Sequence, residues 1–472
     1  MDPTEEALEK QHLLELLAEN KVNDLMEILK EMPTVEVADF LSEQDEVTMP
    51  WLLSLFEPQE QAFIFSDFDE ELQLKVIKGY NPRELSVLVS NMHSDERADL
   101  YQNMSIEAQN NLLPYLPKQI RDNILQLSSY PEDSAGASMS SDFASVTINM
   151  TIKQAMEQIR KDAPTKETIY YIYVVDEDRK LLGFVSLKDL ILASPTETIE
   201  HIIHEDIVYC KVNDDQETVA SQIDKYDLIA IPVVNNELQL LGIVTHDDAI
   251  DILREEQTED IQMIGGSEAF DEPYFDLSMF QLLKKRGGWL IILFLSEMLT
   301  ATAMGFFQGE IEKQVVLALF VPLIISSGGN SGSQAATIII RAMALGEVTL
   351  SSWWRVLKRE FSSGLLLGCL LGTVGFCRIA IWELASLMQN NWILEKTIYK
   401  THWILVAFTV GFSLIGVVMW GTLSGSMLPI LLKRLGFDPA VSSAPFVATL
   451  VDVTGLIIYF SVAMIVMKGT ML

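Results

Sequence analysis

Apolar positions follow three different patterns along this chain. From residue 5 to about 130 they recur at helical spacing, as in Leu13, Leu14, Leu16 and Leu17 and then Leu25, Ile28 and Leu29, the rhythm of amphipathic helices. Met32-Pro33-Thr34, Glu57-Pro58 and Tyr80-Asn81-Pro82 punctuate the run, so short helices in series are predicted, forming a small superhelical domain over 1–130. From 137 to 256 the pattern repeats. Tyr173-Val174-Val175-Asp176 is matched 59 residues later by Pro232-Val233-Val234-Asn235, and Leu182-Gly183-Phe184-Val185-Ser186 at the same offset by Leu241-Gly242-Ile243-Val244-Thr245. Each copy predicts a helix, a strand, a turn, a second strand ending in Gly-x-Val, and a helix beginning at Ser or Thr. Over 257–286 a connecting helix is predicted, broken at Gly265-Gly266 and followed by an amphipathic run from Phe275 to Leu283. The third pattern, over 287–472, is five apolar stretches at about 288–308, 314–341, 357–383, 402–428 and 440–468. Each meets the roughly 20-residue requirement for a spanning helix.

Charge separates along the same boundary. Residues 1–275 carry 56 Asp+Glu and 19 Lys+Arg, a net of −37, whereas 276–472 carry 10 and 14, a net of +4. An acidic soluble half therefore precedes a membrane half. Nucleic acid is not an expected partner, because phosphate is repelled; divalent metal ions are the natural counter-charge. Met1 to Glu6 are acidic without an apolar core, so no signal peptide is expected there and the acidic half is placed in the cytoplasm. Nine basic residues (Lys284, Lys285, Arg286, Arg341, Arg355, Lys358, Arg359, Lys433 and Arg434) then flank the spans inside, against four outside (Lys313, Lys396, Lys400 and Lys468), which supports that orientation. Trp289, Trp353, Trp354, Trp382, Trp392 and Trp403 fall near the expected interfaces. Five spans put the C-terminus outside, in a multi-pass protein of the plasma membrane.

The strongest candidate for chemistry is Asp452, near the middle of the last apolar stretch. A carboxylate at that depth costs about 2.5–3.5 kcal/mol on insertion scales and by default faces a cavity or a partner; the alternative is a neutral carboxyl bonded to a neighbouring helix. The second stretch contains Pro322 and Gly328-Gly329-Asn330-Ser331-Gly332-Ser333-Gln334, the fourth Gly421-Thr422-Leu423-Ser424-Gly425-Ser426, and the fifth Pro445. Such helices are expected to break easily, and freed carbonyls, hydroxyls and amides suit hydrated Mg²⁺; the same small residues also suit close helix packing. One Asp per chain is thin coordination for a divalent ion, and a twofold axis would bring two copies face to face. Glu297 and Glu383 are further acidic candidates inside the spans, Glu297 the deeper, so coupled secondary transport of divalent cations stays open as the alternative to a channel.

In the soluble half, Asp95 and Asp99 share a helix face, which by itself reads as a solvated face. His201 and His204 read as a metal pair on a helix or as a polar linker helix. The three cysteines, Cys210, Cys369 and Cys377, have no metal-ligand spacing. No nucleophile–base pair, phosphate loop or zinc cluster points to an enzyme.

The internal repeat resembles a tandem pair of CBS domains. In such pairs a Ser/Thr-x-x-Asp element often binds an adenosine ribose, here Ser186 with Asp189 and Thr245 with Asp248; the same residues also form a helix cap. The whole order of parts, with Pro322, the run 328–334, Pro445 and Asp452-Val453-Thr454-Gly455, resembles the MgtE family of magnesium channels. That resemblance implies a multidomain α plus α/β membrane protein: a helical superhelix domain, a CBS pair and a five-helix transmembrane bundle. It further implies a homodimer in the lipid bilayer, with hydrated Mg²⁺ held at Asp452 on the dimer axis, and Gly328, Gly329, Asn330, Pro445 and Ala448 are the expected pore lining. Regulatory Mg²⁺ is implied at Asp95 and Asp99, at Asp227, Asp248 and Asp251, and at Glu256, Glu259 and Asp260, closing the pore when cytosolic Mg²⁺ is high, with ATP at the CBS domains as a modulator.

Overall fold

A computed structural model describes residues 3–45, 47–270, 274–275, 277–388 and 402–468, in two compact units, Met1–Arg254 and Glu255–Leu472. Trp392, Lys396 and Lys400, used above for the interface and the outer flank, lie outside the described residues.

The first unit opens with ten short α-helices: α1 (Pro3–Ala18), α2 (Val22–Leu29), α3 (Thr34–Ser42), α4 (Thr48–Leu53), α5 (Pro58–Ser66), α6 (Glu70–Ile77), α7 (Pro82–Asn91), α8 (Ser94–Asn103), α9 (Ile106–Leu112) and α10 (Lys118–Leu127). The proline signals of the sequence become helix starts. Asn81 caps α7 by accepting from the backbone N–H groups of Arg83 and Glu84, with Pro82 in the first turn, where its missing N–H costs nothing. The periodic leucines divide as amphipathicity demands: Leu13, Leu16, Leu25 and Leu29 are buried in one core with Leu41, Leu52 and Phe65, and Leu14 is exposed.

The repeat becomes two three-stranded sheets of the same topology. In the first, β1 (Phe143–Thr147) is parallel to β2 (Thr168–Val175), which is antiparallel to β3 (Leu181–Ser186). In the second, β4 (Cys210–Lys211), β5 (Ala230–Val234) and β6 (Leu240–Thr245) pair in the same way. Equivalent registers, Tyr173 opposite Phe184 and Pro232 opposite Ile243, reproduce the offset seen in the sequence. The turns of the two hairpins meet. Arg179 and Leu238, both in the left-handed region, hold the positions where Leu181 N–H donates to Leu238 O and Leu240 N–H to Arg179 O. Helices α11 (Ile152–Asp162), α12 (Leu187–Leu192) and α13 (Gln216–Tyr226) complete the two copies, and α14 (His246–Ile264) continues unbroken past residue 256. His201 ends a three-residue 3₁₀ turn, and His204 bridges Phe184 in extended backbone. No helix presents the two imidazoles together, against both readings of that pair. The physical reason is that the segment is used as an added strand on β3.

In the second unit α14 ends at Gly265-Gly266 as predicted, with Gly266 at φ +78°. The chain re-enters helix earlier than expected, because Ser278 and Gln281 form a capping box that starts α15 (Met279–Phe306). Lys284 to Arg286 thus lie in the first turns of the first long helix. After α16 (Gln308–Lys313) and a 3₁₀ stretch come α17 (Val321–Ala344), α18 (Trp353–Met388), α19 (Trp403–Arg434) and α20 (Ala444–Val466). With α15 they supply five helices long and apolar enough to span a membrane.

The expected breaks in these helices do not occur. Pro322 sits in the first turn of α17, and the helix runs straight through Gly328, Gly329 and Gly332; α19 likewise continues through Pro429. The glycines serve contact instead. A Cβ on Gly421 would strike the carbonyl oxygen of Gly328, and one on Gly425 that of Gly332. Two Gly-x-x-x-Gly pairs therefore bring the α17 and α19 backbones together. Ser331 and Thr422 share a hydrogen bond of 2.7 Å beside them. Gly364, Gly368 and Gly372 of α18 approach Met419, Ile415 and Gly411 of α19 in the same way.

Candidate functional site

α20 begins at Ala444-Pro445, after Ser443 caps it, and Pro445, Ala448 and Asp452 follow one another on one helical face. α17 meets that face with Gly329. A Cβ there would stand 3.5 Å from Ala448 Cβ and 3.7 Å from Asp452 Oδ1. Nothing larger than a methyl group separates the two helices beside the carboxyl group. Gly328, one residue back, points the other way, onto Val417 and Val451. Asn330 is exposed and donates to Ser326 Oγ at 3.4 Å. Of the expected lining, Gly329, Ala448 and Asp452 are brought together, Pro445 lies two turns below on the same helix, and Gly328 faces the core of the bundle. Glu297 of α15, exposed on its own helix, lies close enough for its charge to act on Asp452. Ser333 Oγ donates to Ala444 O at 2.9 Å, and Trp420 Nε1 to Thr454 Oγ1 at 2.8 Å, fixing α20 from both flanks.

Below this site Gly266 lies against Pro445 and Trp289, each 3.1 Å from where its Cβ would be. Trp289 donates to Ser443 Oγ at 3.1 Å. The turn that ends α14 thus rests on the first residues of the helix that carries Asp452.

In the first unit α8 holds Asp95 in a buried position. Its Oδ1 has no hydrogen-bond partner among the described residues. Burial pushes its carboxyl well above the usual range, reinforced by the nearby charges of Asp248, Glu167 and Glu96. Asp248 accepts from Thr245 Oγ1 at 2.5 Å and Thr245 N at 3.2 Å; burial still pushes it up to about 6. Glu167 accepts from His93 at 2.9 Å, and that bond raises the imidazole. Three carboxyl groups from three separate parts of the chain therefore repel one another in a poorly solvated seam. Asp99, one turn beyond Asp95, is exposed. Asp227 is exposed at the left-handed end of α13, and exposed Asp251 pairs with Arg254 at 3.2 Å. Glu256, Glu259 and Asp260 are half-buried on α14. Among the described residues no group of three or more His, Cys, Asp or Glu side chains is placed to hold a metal ion.

Ser186 and Asp189 close a capping box at the start of α12, with Ser186 Oγ donating to Asp189 Oδ2 at 2.6 Å. His204 Nε2 lies 3.1 Å from the same oxygen. Burial works to raise Asp189, and the bonds from Ser186 and His204 outweigh it, so the carboxylate is held below its usual range. Phe184 stacks on His204 and meets Tyr171 edge-on.

Comparison with known proteins agrees with this organisation part by part. Residues 321–462 match the MgtE family of divalent cation transporters, 32–133 the MgtE intracellular N domain, and 135–196 and 199–255 the CBS domain. The chain is 40% identical over 354 residues to the magnesium transporter MgtE of Thermus thermophilus, 75% of this chain and 74% of that one. The chain belongs to the MgtE family of magnesium transporters. The MgtE protein of Enterococcus faecalis is 33% identical over 345 residues, 73% of this chain and 72% of its own. The crystal structure of the soluble part of a magnesium transporter superposes with a TM-score of 0.51 at 32% identity, covering 53% of this chain and 99% of that one. The protein is thus a Mg²⁺ transporter of the membrane, not an enzyme.

Two neighbours of this MgtE chain's sites escaped sequence reasoning. Glu167 has no motif around it and reaches Asp95 and Asp248 only through the fold. Glu297 was visible as an intramembrane acid, but nothing in the sequence set it beside Asp452.

Proposed function

We propose that the chain forms a homodimeric Mg²⁺ channel, closed by cytosolic Mg²⁺ bound to its acidic cytoplasmic domains, with its C-terminus outside. The observation that carries the conducting part is Asp452, a carboxyl group within a membrane helix, faced from α17 by Gly329, with Ala448 one turn before it on its own helix. A hydrated cation needs the room that those small residues leave, and a twofold axis would present two such carboxylates. For closure, the reading draws on the seam of Asp95, Asp248 and Glu167, and on Asp99, Asp227, Asp251, Glu256, Glu259 and Asp260 as further ligands. Mg²⁺ favours the state in which these groups lie together and so shifts the population toward it. The turn at Gly266, resting on Pro445, gives α14 a direct hold on the pore helix. ATP is proposed beside Asp189 and Asp248, tuning Mg²⁺ affinity.

The test is flux through protein reconstituted in liposomes. Asp452→Asn should assemble as the parent does and pass no Mg²⁺; parental flux in that variant removes Asp452 from the pathway. The alternative, coupled transport of divalent cations, draws on Glu297 beside Asp452. Flux that follows the Mg²⁺ gradient alone, unaffected by an imposed pH or Na⁺ gradient, decides for the channel.

A further inference from the structure

The basic run Lys284-Lys285-Arg286 lies in the first turns of α15, and its cations do different work. Lys285 ties the helix to the loop that follows α14. Its Nζ donates to Ala269 O at 2.5 Å, and its carbonyl accepts from Glu268 N–H at 3.1 Å. Gln262 holds the same loop from the other side. Its carbonyl accepts from Ser267 Oγ at 3.0 Å, and its side chain from Phe270 N–H at 2.5 Å. Between this pinned loop and α15 lies a cavity of about 210 Å³. Gly266, Phe270 and Tyr274 line it from the loop. Leu282, Arg286 and Leu290, spaced four residues apart on one helical face, line it from α15.

Arg286 is exposed and has no ion-pair or hydrogen-bond partner among the described residues. A guanidinium is a planar fork of donors that matches a phosphate group. Apolar side chains make up most of the remaining walls, and among the described residues no carboxylate lines the cavity to meet a choline or ethanolamine cation. The volume is below the roughly 300–1,000 Å³ of sites for drug-sized ligands, so a headgroup fits and longer chains lie outside. Leu290 and Phe294, both exposed, continue the same face of α15 away from Arg286, along the part of the helix that lipid surrounds. Trp289 marks the interface one turn beyond Arg286. The leaflet at this level, on the cytoplasmic side, is the anionic one.

We propose that the cavity binds the headgroup of an anionic phospholipid of the cytoplasmic leaflet, with Arg286 paired to its phosphate and the acyl chains lying along Leu290 and Phe294. The bound lipid braces the loop that begins at Gly266, the turn set against Trp289 and Pro445. A soluble phosphate finds only the guanidinium and leaves the apolar walls uncovered. The proposal is independent of how Asp452 handles the ion.

The experiment uses delipidated full-length protein in detergent and counts bound lipid by native mass spectrometry. Phosphatidylglycerol is the probe, with phosphatidylcholine and inorganic phosphate as competitors. The parent should retain one phosphatidylglycerol per protomer, about tenfold or more tighter than phosphatidylcholine, a difference of about 1.4 kcal/mol, and inorganic phosphate should not displace it. Arg286→Gln should lose that preference, while Lys284→Gln, which removes a neighbouring charge outside the cavity, should keep it within about twofold. A parental preference in Arg286→Gln overturns the proposal. So does a Lys284→Gln variant as defective as Arg286→Gln, which would mark diffuse surface charge. Displacement by inorganic phosphate would mark a site for soluble anions, and a parent without preference would leave this face to a second copy of the chain; either result also overturns it. If Arg286→Gln fails to assemble, photoactivatable phosphatidylglycerol on the parent decides. Labelling within 265–294 supports the site, and labelling confined to other segments refutes it.

Discussion

Asp248 accepts two hydrogen bonds from Thr245 and still has its carboxyl pushed up to about 6, because burial dominates. Its unfolded value is near 3.8, so the folded state binds the extra proton between those limits. Its contribution to stability is complete below pH 4 and is lost as pH rises through about 6, a penalty of roughly 3 kcal/mol by pH 7.5. In a chelator, Asp248→Asn should therefore unfold at a higher temperature than the parent at pH 7.5 and at the same temperature near pH 4. Millimolar Mg²⁺ should narrow the gap by stabilising the parent. A parent–variant difference that stays constant between pH 4 and 7.5 would show that this carboxyl is ordinary. Gly266 makes the second prediction at this scale. Its φ of +78° and its closeness to Trp289 and Pro445 both oppose a side chain, so Gly266→Ala should cost about 1 kcal/mol or more. It should also alter gating, read as open probability against internal Mg²⁺.

Among the membrane helices, glycines do two different jobs, and substitution separates them. At Gly425 a methyl group would strike the backbone oxygen of Gly332, which cannot give way without moving α17 off α19. Overpacking of this kind costs about 1–3 kcal/mol, so Gly425→Ala should lower the thermal stability and assembled yield of detergent-solubilised protein. At Gly329 the same methyl stands at ordinary contact distance from Ala448 and 3.7 Å from Asp452 Oδ1. Gly329→Ala should therefore assemble like the parent and pass less Mg²⁺. If both variants assemble equally well, α17 and α19 do not depend on their close crossing. The sequence left these glycines open to two uses, as places where helices break or as sites of close helix packing. Continuous α17 and α19 show that the same residues are as well suited to contact, and only the facing helix chooses between the two uses.

On the proposed gating, the charge asymmetry of the chain, −37 over 1–275 and +4 over the rest, sets two opposed effects: like charges would favour separation of the acidic parts, and bound Mg²⁺ would oppose it. Replacing Asp248 and Asp251 by Asn, Glu259 by Gln and Asp260 by Asn removes ligands and repulsion together, with opposite effects. Loss of ligands should win, because binding at each site is weak and several must act at once. The quadruple variant should stay open at internal Mg²⁺ that shuts the parent in patch-clamp recording, and should lose Mg²⁺-dependent protection of 1–254 from limited proteolysis. Closure and protection at the parental Mg²⁺ concentration would reduce these carboxylates to a solvated surface.

The features legible in the sequence were those that depend on neighbours along the chain. Five apolar stretches become five long helices because no alternative satisfies the backbone in lipid. A repeat at a constant offset becomes two sheets of one topology, since the same local pattern makes the same hairpin. Asp452 stands out because its immediate surroundings are apolar. Where residues from different segments meet, the sequence is silent. That Asp95 is buried against Asp248 and Glu167 rather than solvated, that Gly332 receives Gly425, and that Glu297 reaches Asp452 are decided by tertiary packing. Each pairing joins groups many residues apart, and what each group becomes, whether charged, strained or hydrogen-bonded, depends on the partner that packing brings to it.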